Sequence, residues 1–146
     1  YVKPILEEIS SKFTYFGKSG SGQIVKMINQ IIVLNNYTIL AEAASFAQAW
    51  NIDANKIPEA LCDGHAGSNL LNDLFPRIVN KDFEPKGYAS QILKDLQMVS
   101  KLANSKSTPT PMSSLTKQLF TILVNSSQEK LDGTSIIKLF DFKENI

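Results

Sequence analysis

Apolar residues at Val2, Ile5, Leu6 and Ile9 recur at helical spacing and predict a short amphipathic helix over Val2 to Ser10. The run Phe13-Thr14-Tyr15-Phe16, closed by Gly17, is β-prone and predicts a short strand. A strand that short needs a sheet, and nothing else in the chain supplies one. A turn rich in glycine and serine, Gly17 to Gly22, leads into a stretch from Ser21 to Trp50 with no proline and, after Gly22, no glycine. Its apolar residues, among them Ile24, Val25, Ile28, Ile31, Ile32, Leu34, Ile39, Leu40, Ala43 and Ala44, fall on more than one helix face. That pattern predicts a helix surrounded by other helices on most sides. It would run about 45 Å, longer than a small domain is wide. Part of it should therefore reach a second subunit or another domain.

Shorter helices follow. Asp53 is an N-cap for one that ends near Asp63 and Gly64, and Ser68 caps another through Val79. Tyr88 to Ala103 reads as a third. Thr110-Pro111 opens a fourth that runs to about Gln128, with proline suited to the first turn. Asp132-Gly133-Thr134-Ser135 caps a last short helix through Phe140, and the segment from Lys81 to Gly87 is the longest loop. The expected fold class is all-α, a helical bundle around one long central helix.

Length and composition agree with one such domain. The chain has 146 residues, 43% hydrophobic and 20% charged, with a formal net charge of +1. Its basic residues form no stripe, so the charge makes no case for nucleic acid or an anionic membrane. No stretch of about 18 uninterrupted apolar residues appears, and no signal peptide is visible at the N-terminus. Tyr1-Val2-Lys3-Pro4 reads like the middle of a longer protein. The lone Cys62 excludes an internal disulfide and suits a reducing, cytoplasmic compartment. Cys62 and the lone His65 are three residues apart, but no orienting acid or oxyanion donor accompanies them. They read as a half-buried thiol and a loop histidine. No cluster of metal-ligating residues is apparent.

Two features have chemical content. Gly20-Ser21-Gly22 stands where the long helix begins, where unpaired N–H groups and the helix dipole favour an anion and glycine lets a ligand approach the backbone. The turn alone is weak, because such glycines also start ordinary helices. Lys26, Asn29 and Gln30 lie at i, i+3 and i+4, on one face, among apolar neighbours. If they are buried, the amine feels both desolvation and the positive helix end. Both favour its neutral form and suit it to proton transfer near neutral pH. The other reading has Lys26 reaching solvent and the amides bonding neighbouring helices. Lys94-Asp95 lies on the third of the shorter helices, between Ile92, Leu93, Leu96 and Val99. A solvated pair is the ordinary reading of those charges.

Together these segments resemble the β-hydroxyacid dehydrogenase family, which includes 3-hydroxyisobutyrate dehydrogenases, tartronate semialdehyde reductases and glyoxylate/succinic semialdehyde reductases. The stretch from Gly20 to Gln30 is similar to the family's lysine motif, G-x-G-x-x-x-K-x-x-N followed by Asn or Gln. Ala41-Glu42-Ala43, Gly87-Tyr88 ahead of Leu93-Lys94-Asp95-Leu96, and Thr110-Pro111 extend the resemblance from about Val2 to Phe140. It implies an all-helical C-terminal substrate and dimerisation domain over residues 18–146. Residues 1–17 would be the remnant of a preceding Rossmann domain. It implies Lys26 as the catalytic lysine. Gly22, Asn29, Gln30 and Asp95 would bind substrate, and Lys94 would lie near the cofactor, NAD or NADP. The implied partners are a small 3-hydroxyacid or semialdehyde, the Rossmann domain, and a further copy of the chain through the long helix.

Some members carry Phe at the position matching Gly87, which leaves the pocket's shape open. The larger departure is the missing dinucleotide-binding half, without which the chain should be inactive. A non-catalytic helical dimerisation module on the same fold is the alternative. A relative acting on sugar phosphates fits less well, because Arg77 is the only arginine.

Overall fold

The computed structural model describes residues 2–140. In chain order they form α1 (Lys3–Ile9), α2 (Ser21–Ala49), a 3₁₀ turn (Ala54–Lys56) continuing into α3 (Ile57–Leu61), α4 (Asn69–Val79), α5 (Ala89–Ser105), α6 (Pro111–Leu123) and a terminal 3₁₀ helix (Gly133–Leu139). The all-α expectation is met, with α2 as the axis against which α4, α5, α6 and the terminal helix pack. By length and composition alone α2 would suffice to cross a membrane. Here Ala41, Ala44 and Ala47, all buried, let its neighbours approach closely, as in the core helix of a bundle. Phe75, Ile78, Leu96, Phe120, Leu123, Ile136 and Ile137 complete the shared core.

The local capping signals hold in the structure. Ser68 Oγ accepts the Leu71 N–H at 3.0 Å, and Asp53 Oδ1 accepts the Asn55 N–H at 3.3 Å. Pro111 occupies the first turn of α6. Three expectations are corrected. Phe13 to Phe16 forms no strand, because no ladder partner exists for it among the described residues. The helix expected to reach Gln128 loses α-helical geometry after Leu123. It ends in a π-turn over Val124–Gln128, where Ser127 takes a left-handed φ of 61°. The terminal helix is 3₁₀ and ends at Leu139, before Phe140. Residues 141–146 of the expected second domain lie outside the described residues. Helix α1 buries none of its residues, and Ile5, Ile9, Tyr15 and Phe16 are exposed.

Two polar constructions organise the bundle. Between α2 and α6, buried Asn35 donates to Ser113 Oγ at 3.0 Å and accepts from Thr116 Oγ1 at 2.7 Å. The second is centred on Asp132, which is fully buried. Its Oδ1 accepts from Arg77 Nη1 at 3.2 Å and from the Thr134 N–H at 3.0 Å. Its Oδ2 accepts the N–H groups of Lys86 at 2.8 Å and Gly87 at 3.0 Å. Arg77 spends its other donors on Asp82 Oδ2 at 3.0 Å and the Glu84 carbonyl at 2.6 Å. One ion pair thus ties α4, the loop before α5 and the terminal helix together.

Candidate functional site

The first turn of α2 is open. Gly20, its N-cap, takes a φ of 94°, and no side chain caps the helix. The Ser21 N–H donates to the Lys18 carbonyl at 3.0 Å, and the Ile24 N–H makes the first intrahelical bond, to Gly20 at 3.2 Å. The N–H groups of Gly22 and Gln23 lie between these and have no carbonyl to receive them among the described residues. A Cβ built on Gly22 would meet nothing within 4 Å. Packing among the described residues therefore sets no requirement for glycine there.

Lys26, Asn29 and Gln30 do share a face of α2, and of the two readings the structure takes the one in which Lys26 reaches solvent and an amide, that of Gln30, bonds a neighbouring helix. Lys26 and Asn29 are exposed and Gln30 is half-buried, and between Ser21 and Val33 only Met27 is buried. The physical reason is the placement of α5, which runs antiparallel to α2 and covers the other side of that turn. Ile24, Met27, Ile28 and Ile31 face Val99, Leu102 and Ala103 across an apolar cleft of about 190 Å³, closed off by Lys106, Thr108 and Thr110. At 100° per residue that cleft lies across the helix from Lys26, so it is not a pocket for the lysine.

Asp95 is brought to the lysine face. Gln30 Nε2 donates to Asp95 Oδ2 at 2.6 Å, and Asn29 Nδ2 donates to Gln30 Oε1 at 3.1 Å. A carboxylate accepts and cannot donate, so Asp95 fixes which end of the Gln30 amide faces α5 and turns the carbonyl end toward Asn29. Lys26, one turn earlier, is exposed and has no hydrogen-bond or ion-pair partner among the described residues. Lys94 is exposed on α5 and likewise has no such partner. The first turns of α2 thus carry an exposed cation, a line of oriented amides ending on a carboxylate, and N–H groups with no backbone acceptor among the described residues. Such a set can hold an acidic substrate and exchange a proton with it.

The Cys62 thiol is exposed, not half-buried, and donates to the Glu59 carbonyl at 3.2 Å rather than meeting His65. Gly87 has open space at its Cβ position. The Asp132–Arg77 pair was missed as a pair. Asp132 was legible only as a cap, and the lone arginine was the remaining signal.

Tyr37, seven residues beyond Gln30 on the same face of α2, has its phenol pushed up to about 12 by burial and the Asp132 charge, with Arg77 opposing.

Comparisons with known proteins give the family and the fold. The family described as NAD-binding of NADP-dependent 3-hydroxyisobutyrate dehydrogenase matches residues 20–140. A relative from Arabidopsis thaliana, named probable 3-hydroxyisobutyrate dehydrogenase-like 3, is 34% identical over 139 residues, 95% of this chain and 42% of its own. The 2-hydroxy-3-oxopropionate reductase of Escherichia coli is 28% identical over 144 residues, 99% of this chain and 49% of its own. The solved 3-hydroxyisobutyrate dehydrogenase of Salmonella typhimurium shares the fold, with a TM-score of 0.87 at 24% identity over 94% of this chain and 49% of that one. The chain spans about half the length of these relatives. By the match over residues 20–140, the chain belongs to the 3-hydroxyisobutyrate dehydrogenase family of NAD(P)-dependent hydroxyacid dehydrogenases.

Proposed function

We propose that this chain is the lysine-bearing half of an NAD(P)-dependent 3-hydroxyacid dehydrogenase or semialdehyde reductase. The observation that carries the reading is the Gln30–Asp95 bond, which completes a polar row one turn along α2 from the exposed Lys26. Lys26 donates a proton to the carbonyl oxygen of a bound semialdehyde and takes it back in the reverse direction. The unpaired N–H of Gly22 meets the substrate carboxylate. Asn29 and Gln30 orient it, with Asp95 holding Gln30 in place. Lys94 approaches the cofactor, which when bound supplies the hydride. A dinucleotide-binding domain of which residues 1–17 are the end closes the open side, so the isolated chain is inactive. A reducing compartment such as the cytoplasm suits the exposed Cys62 thiol.

The test is reduction of short semialdehydes by the full-length protein with NADH and NADPH. Cofactor oxidation that depends on the aldehyde is expected. Its absence across the series would overturn the reading.

A second reading has its own observation. Ile24, Ile28, Ile32, Ile39, Phe46 and Trp50 are all about half exposed or more and follow one side of α2. An apolar stripe of that length needs a cover. A second copy of the chain is the proposed cover, either as part of the enzyme or as the whole role of a non-catalytic module. Loss of semialdehyde reduction together with retained self-association would favour the module.

A further inference from the structure

The Gln30–Asp95 contact depends on how closely α2 and α5 approach, and one residue lies between them nearby. Gly133 is buried at the start of the terminal 3₁₀ helix. A Cβ built there would run into Ile92 Cδ1 on α5 and would stand 2.7 Å from Tyr37 Cε1 and 3.0 Å from Tyr37 Cδ1 on α2. Ile92 is one turn from Asp95 and Tyr37 is two turns from Gln30, each on the same side of its helix. One side chain from each helix, Ile92 of α5 and Tyr37 of α2, therefore packs on Gly133 within two turns of where the polar side chains meet.

The spacer has little room to retreat. Its N–H donates to the Gly87 carbonyl at 3.0 Å, and the Ala89 N–H donates to Leu131 at 2.8 Å, so the segment is laced to the start of α5. Behind it, buried Asp132 is held by Arg77 and by the N–H groups of Lys86, Gly87 and Thr134. A side chain added at Gly133 would press first on the Ile92 δ-methyl, which can turn aside, and then on the less yielding edge of the Tyr37 ring, and through them on α5 and α2 rather than on its own loop.

We infer that Gly133, anchored through Asp132 on Arg77, is a positioning residue that sets the separation of α2 and α5 at which Asp95 holds the Gln30 amide. This rests on the proposed dehydrogenase function and extends it to a residue remote from the reacting atoms.

The experiment is Gly133→Ala in the full-length protein, assayed well below its unfolding midpoint. The kcat/KM for the semialdehyde should fall roughly tenfold or more, because small misplacements of orienting groups are costly. The KM for NAD(P)H should not change. The loss should not multiply with that of Asp95→Asn, since both act through the same contact. Ile92→Val, which deletes the nearest clashing atom, should restore part of the rate. If Gly133→Ala does not fold, Arg77→Lys loosens the anchor more gently and should give the same kinetic pattern in weaker form. A folded Gly133→Ala protein with wild-type kcat/KM overturns the inference, and so does a loss that multiplies with that of Asp95→Asn. Lys26→Ala in parallel separates the two levels: undiminished turnover there overturns the dehydrogenase function itself.

Discussion

Gln30 and Asp95 are 65 residues apart in the chain and 2.6 Å apart in the fold. Their bond joins the first third of α2 to the middle of α5 on the side where Lys26 is exposed. It also gives the Gln30 amide a direction, because the carboxylate takes the NH2 end and leaves the carbonyl to Asn29. An incoming substrate would meet polar groups already oriented, which lowers the reorganisation needed at reaction.

Replacing Lys26 tests the chemistry with little risk to the fold. The side chain is exposed and has no partner among the described residues, so Lys26→Ala should leave helicity and unfolding midpoint nearly unchanged. Loss of a proton donor should lower kcat of the full-length protein by about 10²- to 10⁴-fold. Steady-state kinetics alongside circular dichroism checks both halves. A variant that folds and turns over normally has no catalytic lysine.

Asp95→Asn should act on substrate handling rather than on folding. An asparagine there can donate as well as accept, so the Gln30 amide loses its fixed direction. A lost hydrogen bond to a charged group is worth about 1.5–3 kcal/mol, or roughly ten- to a hundredfold in kcat/KM. Gln30→Glu should do something different, since it places a second carboxylate against Asp95 and forces the pair to share a proton. Its rate should gain a pH dependence that Asp95→Asn lacks. Matching pH profiles for the two variants would remove Asp95 from the mechanism.

How much of this was legible in the sequence depended on the range of the interaction. The caps at Ser68 and Asp53 and the proline at Pro111 are local, and each sat where its chemistry demands. The spacing of Lys26, Asn29 and Gln30 gave their common face. The choice between burial and exposure stayed open, because apolar neighbours such as Ile28 and Ile32 suggest burial while the structure leaves these two exposed as well. Whether Asp95 faced solvent or Gln30 depended on how α5 rolls against α2, a tertiary fact. The same holds for Arg77, whose partners Asp82 and Asp132 lie 5 and 55 residues away. The strand expected over Phe13–Phe16 failed for a related reason: β-propensity has no meaning without a neighbouring strand.

The Arg77 cluster predicts acid sensitivity. Breaking a buried ion pair leaves an uncompensated charge, so Arg77→Met should destabilise the protein by about 3–5 kcal/mol. Asp82 is held below its usual 3.8 by the hydrogen bond from Arg77 and by the Glu84 N–H. A carboxyl depressed in the folded state contributes stability above its unfolded pKa and loses it as pH falls through the lower folded value. Asp82→Asn should therefore flatten the decline in stability below about pH 4, measured by denaturant midpoints. An unchanged slope would show that Asp82 does not participate.

The alkaline side depends on Tyr37. Its phenol is raised from 10.0 to about 12, first by burial and then by the Asp132 charge. A phenol raised in the folded state keeps the neutral form, so its contribution is complete below the unfolded value of 10.0 and is lost as pH climbs through about 12. Tyr37→Phe should reduce the fall in stability across that interval, and one phenolate should be missing from the ultraviolet titration at its upper end. An identical slope in the variant would refute this.

The apolar stripe on α2 yields the last test. Ile32 is 58% exposed and Ile39 is 49% exposed, and both lie between Ile28 and Phe46 on the same side of the helix. A charge placed there costs little in a monomer, because surface substitutions away from partners usually change stability by less than about 0.5 kcal/mol. In an assembly that covers the stripe, the same charge would be buried without a partner. Ile32→Glu combined with Ile39→Glu should therefore convert an oligomer to a monomer while leaving the helical signal intact, as read by sedimentation or light scattering at several concentrations. Retained association in the double variant would place the interface elsewhere. A parent protein that is monomeric at every concentration would leave the stripe to another domain of the same chain.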